Sequence, residues 1–337
     1  MRFWSFERLD NNDRSLGTLD GVTGGSAEIV TQARLGGSGT LVMDERGQGV
    51  NWMRDRIRAI FHDGEHSWPF GTYMLSSPIE RHSEFGVTYE IGLSTKMLIP
   101  DEETLDARFS LEAGAPVIPA VVDLLRSTGE TRIAVTPSEM VRATAGTWEA
   151  GTPKLTVINE LLGSVGYSSL WCDGSGQYRI EKYVSPAQRP VAHRFIHGPT
   201  SIHMPDWSRI QNLADVPNRV VLRTEGQDGP GLVGIAVNED ASSPFSRQAR
   251  RRWISPEVEV VEAESQLVID QLAERRLRDR MSPVSRITAV HDMRELQPAA
   301  LIGFTPEDAV DRLATVQRMA VNFTFDTDVQ AEWREVA

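Results

Sequence analysis

Alternation of apolar and polar side chains dominates the first hundred residues. Ala27, Ile29, Thr31, Ala33 and Leu35 share one parity, with Glu28, Gln32 and Arg34 on the other. A period of two marks a strand with one buried face. Leu41 and Met43 resume the pattern after Gly36-Gly37-Ser38-Gly39, a flexible stretch that predicts a hairpin turn. Arg56 to His62 leads through Asp63-Gly64, a dipeptide suited to a tight type I′ turn, into a segment carrying Trp68, Phe70, Tyr73 and Leu75. Val87, Tyr89, Ile91 and Leu93 then alternate strictly. Residues 1–104 are therefore expected to form a small all-β domain.

The period changes after Asp101-Glu102-Glu103. Ile118, Val121, Val122 and Leu125 fall at i, i+3, i+4 and i+7, with Pro119 near the start and Gly129 past the end, which predicts a short amphipathic helix. Ile158, Leu161, Leu162 and Val165 repeat the spacing. Thr152 is placed to cap this second helix, Pro153 to begin it and Gly166 to end it. Ser168 to Cys172, the turn Asp173-Gly174-Ser175-Gly176 and Gln177 to Tyr183 read as strand, turn and strand. Residues 105–188 are expected to be a small inserted α/β domain. Ser185, Pro186 and Pro190 punctuate a boundary, after which β signals return at Arg219 to Arg223 and Gly231 to Val237. Leu, Ala, Glu and Arg content predicts a helix around 261–281, and Met319, Val321, Phe323 and Phe325 alternate again. Residues 189–337 are expected to form a second β-rich domain with that helix inserted. The fold class is mixed, β-rich α+β, with two barrel-like or sandwich units and inserted helical material. No short repeat period appears, which argues against solenoids and propellers.

Composition narrows the function. A chain of 337 residues exceeds what one core usually supports, and 40% apolar with 24% charged residues is an ordinary globular balance. No apolar run approaches the roughly 18 residues of a membrane span, and Met1 to Glu7 lacks a signal-peptide core, so the chain is expected to stay where it is made, with no membrane insertion. Cys172 is the lone cysteine, which excludes an intrachain disulfide and a Cys-based metal cage and suits a reducing cytoplasm. It is expected to act as a small buried hydrophobe. With 47 acidic against 35 basic residues the net charge is -12, so the chain as a whole repels a phosphate backbone.

Motifs for chemistry are sparse. His62 and His66 have a spacing that binds zinc on a helix, but here they flank the hairpin turn expected at Asp63-Gly64, without an obvious third ligand nearby. His193, His197 and His203 are scattered through a Pro-rich connector and read as surface-loop residues. There is no G-x-S-x-G elbow, and Gly36, Gly37 and Gly39 lack a following Lys-Ser or Lys-Thr. Asp101 to Glu103 reads as a solvated connector, while carboxylates that converge only in three dimensions stay open. No catalytic residue, cofactor or metal ligand is predicted.

Two features point to contacts instead. Arg247, Arg250, Arg251 and Arg252 precede Trp253. In an acidic protein such a cluster suits a neighbouring subunit's carboxylates, through bidentate guanidinium pairing, and nucleic acid is the alternative. Phe3, Trp4 and Phe6 either close the first β unit or lie as an arm on a neighbouring subunit.

Several segments resemble one family. Trp68-Pro69-Phe70-Gly71-Thr72-Tyr73-Met74-Leu75 and the strand from Val87 to Leu93 resemble the first tube-like domain of baseplate hub, or tail-tip, proteins of long-tailed non-contractile phages. Leu155 to Val165, running through Gly166-Tyr167 into Leu170-Trp171-Cys172-Asp173-Gly174-Ser175-Gly176-Gln177-Tyr178, is similar to the inserted α/β unit of those proteins. Asn218-Arg219-Val220-Val221 and Asn238-Glu239-Asp240-Ala241-Ser242-Ser243-Pro244 are similar to their second half. The resemblance implies a homotrimer with two tube-like β-barrel domains per chain, so that six match a sixfold tail tube. It implies a ring at the tip of the virion's tail, made and assembled in the bacterial host's cytoplasm. It also implies contacts with the distal tail ring, the tape-measure protein and other tip proteins, with DNA only in transit through the channel. Two alternatives are a distal tail ring or other minor tail protein, hexameric with one barrel per chain, and a carbohydrate-binding or hydrolytic tail protein using Trp68, Trp171 and Trp253.

Overall fold

Turns rich in glycine and aspartate break the N-terminal alternation into β1 (Phe3–Leu9), β2 (Ser15–Thr18), β3 (Val22–Val30), β4 (Gly37–Met43), β5 (Arg56–His62), β6 (Ser67–Leu75), β7 (Ile79–Ser83) and β8 (Gly86–Thr95). The computed structural model describes residues 2–336 apart from 45, 65, 85, 143, 212, 225–230, 256–257, 262–265, 281–284 and 325–327. β5 and β6 pair antiparallel across the Asp63-Gly64 turn, where the Asp63 N–H donates to the His66 carbonyl at 3.0 Å. The alternation from Ala27 to Leu35 is not one strand. β3 ends at Val30, and residues 31–36 turn, with the Val30 N–H on the Gly36 carbonyl at 2.9 Å. Gly37 and Gly39, expected in the turn, run inside β4. A Cβ on either would stand 2.1 Å from the Glu28 oxygen or 2.4 Å from the Ser26 oxygen of β3, so the close pairing requires glycine. Parity cannot show a turn whose residues keep the alternation.

The middle of the chain forms α1 (Leu98–Glu102), β9 (Phe109–Leu111), α2 (Val117–Arg126), β10 (Ile133–Val135), β11 (Gly146–Trp148), α3 (Lys154–Ser164), β12 (Trp171–Cys172) and β13 (Tyr178–Ile180). α2 and α3 lie where the periodicity places them, burying Val121, Leu125, Leu155, Ile158 and Leu161 against Tyr178 and Ile180. Thr152 does not cap α3. Its hydroxyl donates to the Glu149 carbonyl at 2.8 Å, and Pro153 occupies the N-cap position. β13 pairs parallel with β10 and antiparallel with β12.

A buried ion lattice ties this α/β part to the N-terminal strands. Asp13, in the turn after β1 at φ 61°, accepts from Arg56 of β5 at 2.7 Å and from Lys96 at the end of β8 at 2.6 Å. Glu130, just past α2, accepts from the same two cations at 2.6 and 2.7 Å. Lys96 Nζ completes its three donations on the Gly176 carbonyl at 2.9 Å, and its side chain is 0% exposed. The Tyr178 hydroxyl donates to the Lys96 carbonyl at 2.7 Å.

The rest of the chain contributes β14 (Val191–Ile196), β15 (His203–Gln211), β16 (Arg219–Arg223), β17 (Val233–Val237), α4 (Arg247–Arg250), β18 (Glu259–Val260), α5 (Gln266–Arg280), β19 (Ser285–Asp292), β20 (Leu301–Thr305), β21 (Arg312–Asn322) and β22 (Asp328–Glu335). The helix expected around 261–281 is α5, and residues 262–265 and 281 of that expectation lie outside the described residues, as does Phe325. β3 pairs antiparallel with β4 on one side and with β21 on the other. Early and late strands thus share one sheet, in the order β15-β19-β22-β21-β3-β4-β8-β6-β5-β1-β2, with β7 on β8, and β20 on β21 carrying β14. The two barrel-like units expected from the alternation are not closed rings among the described residues. Alternation records which face is buried and is silent on which strand is the neighbour.

The chain divides into two compact units, one of Met1–Trp207 with Thr288–Val336 and one of Ser208–Ile287. In the second, α5 covers the sheet β17-β16-β18 through Val220, Leu222, Ala236, Ile269, Ala273 and Leu277. Gly234 permits the approach, since a Cβ there would stand 2.6 Å from the Ile269 carbonyl oxygen.

Lys96→Met should lower stability by roughly 3–5 kcal/mol in urea unfolding, because it leaves two buried carboxylates with one cation fewer. Arg81→Met, which removes the exposed pair with Glu90, should cost under about 1 kcal/mol. Burial between Phe195 and Trp333 pushes the His291 imidazole down to about 4. A depressed histidine folds neutral, so its contribution is full above the unfolded value near pH 6.5 and is lost as pH falls toward 4. Thermal melts across that window should decline more steeply for the wild type than for His291→Phe.

Candidate functional site

Placement of the two contact features separates residues that look alike in sequence. Trp4 packs edge-on against Phe61, Phe70 and Phe323, with centroids at 5.1, 5.8 and 5.1 Å, and Phe6 meets Phe323 at 5.1 Å. Phe3 stacks on His62 at 4.4 Å yet stays 38% exposed. In the arginine cluster, Ser246 caps α4 by accepting from the Ala249 N–H at 3.2 Å, and Arg251 ends the helix in the left-handed region at φ 54°. The Arg250 guanidinium turns inward, donating to the carbonyls of Leu213, Ala214 and Val216 and lying 4.9 Å from the Phe245 ring. Arg247 and Arg219 flank Trp253 at 4.6 and 5.2 Å, an exposed cation–π stack, with Arg251 and Arg252 exposed beside it.

A cavity of about 390 Å³ opens between the β3–β4 turn, β6 and residues 169–174, lined by Trp68, Tyr73, Leu170 and Trp171 among others. Two of the tryptophans proposed as sugar platforms therefore meet here, and Trp253 belongs to the second unit. Asp173 and Glu28 are both committed. Asp173 accepts from Ser175, Gln177 and Arg179, and these hydrogen bonds outweigh its burial and hold it below the usual carboxylate range. Glu28 accepts from Arg318 at 2.9 Å. Cys172 packs on the α2–α3 core, and burial pushes its thiol up to about 12. The glycine-rich turn beside the cavity is clamped to β6. The Thr72 hydroxyl donates to the Gly174 carbonyl at 2.9 Å, and Arg58 donates to the Ser175 carbonyl at 3.0 Å.

The histidines fall into two groups. His62 faces Ser5, whose hydroxyl is 2.8 Å from Nε2, while exposed His66 lies 3.8 Å from Asp63, so the two rings hold different partners. His193 lies within β14 and His203 begins β15, so these two are strand residues rather than loop ones, while His197 lies in the short connector between the strands. The His203 side chain is wholly buried against Phe304, with centroids at 5.2 Å, and burial holds its imidazole below the usual range. His197, after β14, places Nδ1 3.2 Å from Glu307 Oε1. His203 Nε2 lies 3.9 Å from the same oxygen, and the Trp207 indole N–H donates to Glu307 Oε2 at 3.0 Å. Glu307's own backbone N–H and this indole keep its carboxyl below the ordinary range.

This architecture recurs in solved structures over nearly its whole length. The tail protein from Neisseria meningitidis MC58 superposes with a TM-score of 0.68 at 11% identity, covering 99% of this chain and 96% of that one. The chain has a phage tail-protein fold. The 43 kDa tail protein of prophage MuSo2 from Shewanella oneidensis gives 0.66 at 11% identity over 98% of each chain. Prophage tail protein gp18 from Listeria monocytogenes EGD-e gives 0.59 at 9%, over 98% of this chain and 94% of that one. No protein-family model and no curated protein matches the sequence.

Within the tail-protein fold, the segments quoted above for their resemblance prove to be structural joints. Trp68 to Thr72 and Asp173 to Gly176 meet face to face, since a Cβ on Gly174 would stand 2.1 Å from the Pro69 carbonyl oxygen. Asn218 is fully buried and holds residues 252–254, donating to the Arg252 carbonyl at 2.9 Å and accepting from the Ile254 N–H at 2.8 Å. Asn238 caps the following loop by accepting from the Asp240 N–H at 3.1 Å. The His197–His203–Glu307 grouping is missed by sequence reading, because its third member lies a hundred residues downstream. Its one local signal is that His203 and Trp207 share a parity on β15.

Arg250→Ala should destabilise the protein by about 1–1.5 kcal/mol in denaturant melts, because the carbonyl of buried Val216 loses a charged donor while those of exposed Leu213 and Ala214 turn to water. Arg247→Ala, which removes an exposed stack, should cost under about 1 kcal/mol.

Proposed function

We propose that the protein is a structural subunit of a phage tail tip, a baseplate hub that joins the tail tube and distal tail ring to the tip. The observation that carries this reading is the full-length likeness of the fold to tail proteins. The chemistry agrees, since Glu28 and Asp173, two of the carboxylates at the cavity beside β6, are tied to arginines.

In this reading three copies form a ring, and the early and late β regions, 1–104 and 189–337, act as two tube-like domains per chain, giving six around a sixfold tube. The domain at 105–188 is the insert between them. Exposed Phe3 and the Arg247–Trp253 stack, flanked by Arg251 and Arg252, are the subunit contacts. Part of the excess negative charge lines the channel, where it keeps DNA mobile by withholding cations from its phosphates. The tape-measure protein passes first. The protein then works in the virion after assembly in the host cytoplasm.

Native mass spectrometry of the purified protein, with cryo-EM of the particle, tests the reading. A trimer at the tail tip with an acidic lumen is expected. A hexamer would identify a distal tail ring instead, and a monomer absent from the particle would overturn a tail role. Trp253→Ala combined with Arg247→Glu should reduce the trimer fraction without altering the melting temperature by more than a few degrees.

A further inference from the structure

We propose that His197, His203 and Glu307 form a binding site for one divalent transition-metal ion of the zinc class. The inference stands apart from the assembly reading and rests on the first unit alone.

The buried imidazole carries the case. The Ser201 hydroxyl donates to the His203 carbonyl at 3.1 Å and lies 3.0 Å from His203 Nδ1. With that one hydrogen on the carbonyl, the hydroxyl accepts Nδ1–H from the ring. Nε2 is then left with a bare lone pair. Nε2 is buried and has no hydrogen-bond partner, and it faces a carboxylate oxygen, itself an acceptor, at 3.9 Å. A buried lone pair and a carboxylate oxygen facing each other repel unless a cation stands between them.

The arrangement meets the demands of such an ion. One atom from each of His197, His203 and Glu307 lies within 4.8 Å of the other two. A tetrahedral ion with bonds of about 2.0–2.1 Å needs donors about 3.3 Å apart. The His197–Glu307 separation of 3.2 Å already fits, and the 3.9 Å from Glu307 to His203 closes by a small shift of the exposed glutamate. Two imidazoles and a carboxylate suit zinc and its neighbours and disfavour magnesium and calcium, which want oxygen alone. Supporting contacts are also present. Ser201 fixes the tautomer of His203, and the Trp207 indole holds the second oxygen of Glu307, as outer partners do around zinc ligands. The partly exposed His197 and Glu307 leave the fourth position to water. Bound there, the ion would staple the β14–β15 connector to the turn between β20 and β21, a role that needs no chemistry.

The test uses tag-free full-length protein and zinc chloride in isothermal titration, with thermal melts alongside. One saturable zinc per chain and a higher melting temperature are expected, with no such binding of magnesium. His197→Ala and Glu307→Gln change exposed side chains, so the fold is retained. Each should weaken binding by more than the roughly 10–100-fold that loss of a supporting residue costs, and Ser201→Ala should fall within that range. His66→Ala should bind as the wild type does. Absence of saturable binding by the wild type, or equal affinity in His197→Ala and Glu307→Gln, would overturn the site.

Discussion

Four buried charges set the terms for the first unit. Asp13 and Glu130 face Arg56 and Lys96 at hydrogen-bond distance, and each carboxylate contacts both cations. Taking such groups out of water costs several kcal/mol per ion, and only the complete set offsets it. The four come from the turn after β1, from β5, from the end of β8 and from the segment after α2. None of these can settle without the others. The lattice therefore joins the helical part to the strands at one fixed set of contacts. The Asp173–Gly176 turn then falls onto β6, and the cavity beside it takes its shape.

How much of this is legible in the sequence depends on range. α2 and α3 are read correctly from Ile118 to Leu125 and from Ile158 to Val165, because helix periodicity is a local property. Strand faces are equally plain at Leu41, Ile57 and Ile91, all fully buried. The turn at residues 31–36 is not, because it preserves parity, and neither is the joining of β3 to β21, which no local pattern encodes. Arg247 and Arg250 stand three residues apart in one basic cluster, yet one stacks on Trp253 and the other holds the carbonyls of residues 213–216. Only packing distinguishes them. His197, His203 and Glu307 fail to announce themselves for the same reason.

Retention of a tail-protein fold at about 11% identity says what this architecture asks of its side chains. Glycines are needed where backbones touch, as at positions 37, 39, 174 and 234, and the buried polar groups need partners. The hydrophobic remainder has wide latitude, since volume and pattern suffice for most core positions.

The pairing of β3 with β21 bears on how the protein is made. Glu28 and Arg318 meet across that pair at 2.9 Å, joining residues 290 apart in the chain. During synthesis β3 acquires β4 at once but keeps its other edge open until residues 312–322 have left the ribosome. Pairings of such long range form slowly, and an unpaired edge recruits foreign strands in the interval. The nascent chain thus carries a period of exposure that the finished molecule no longer shows, and crowding by other nascent copies would be most harmful then.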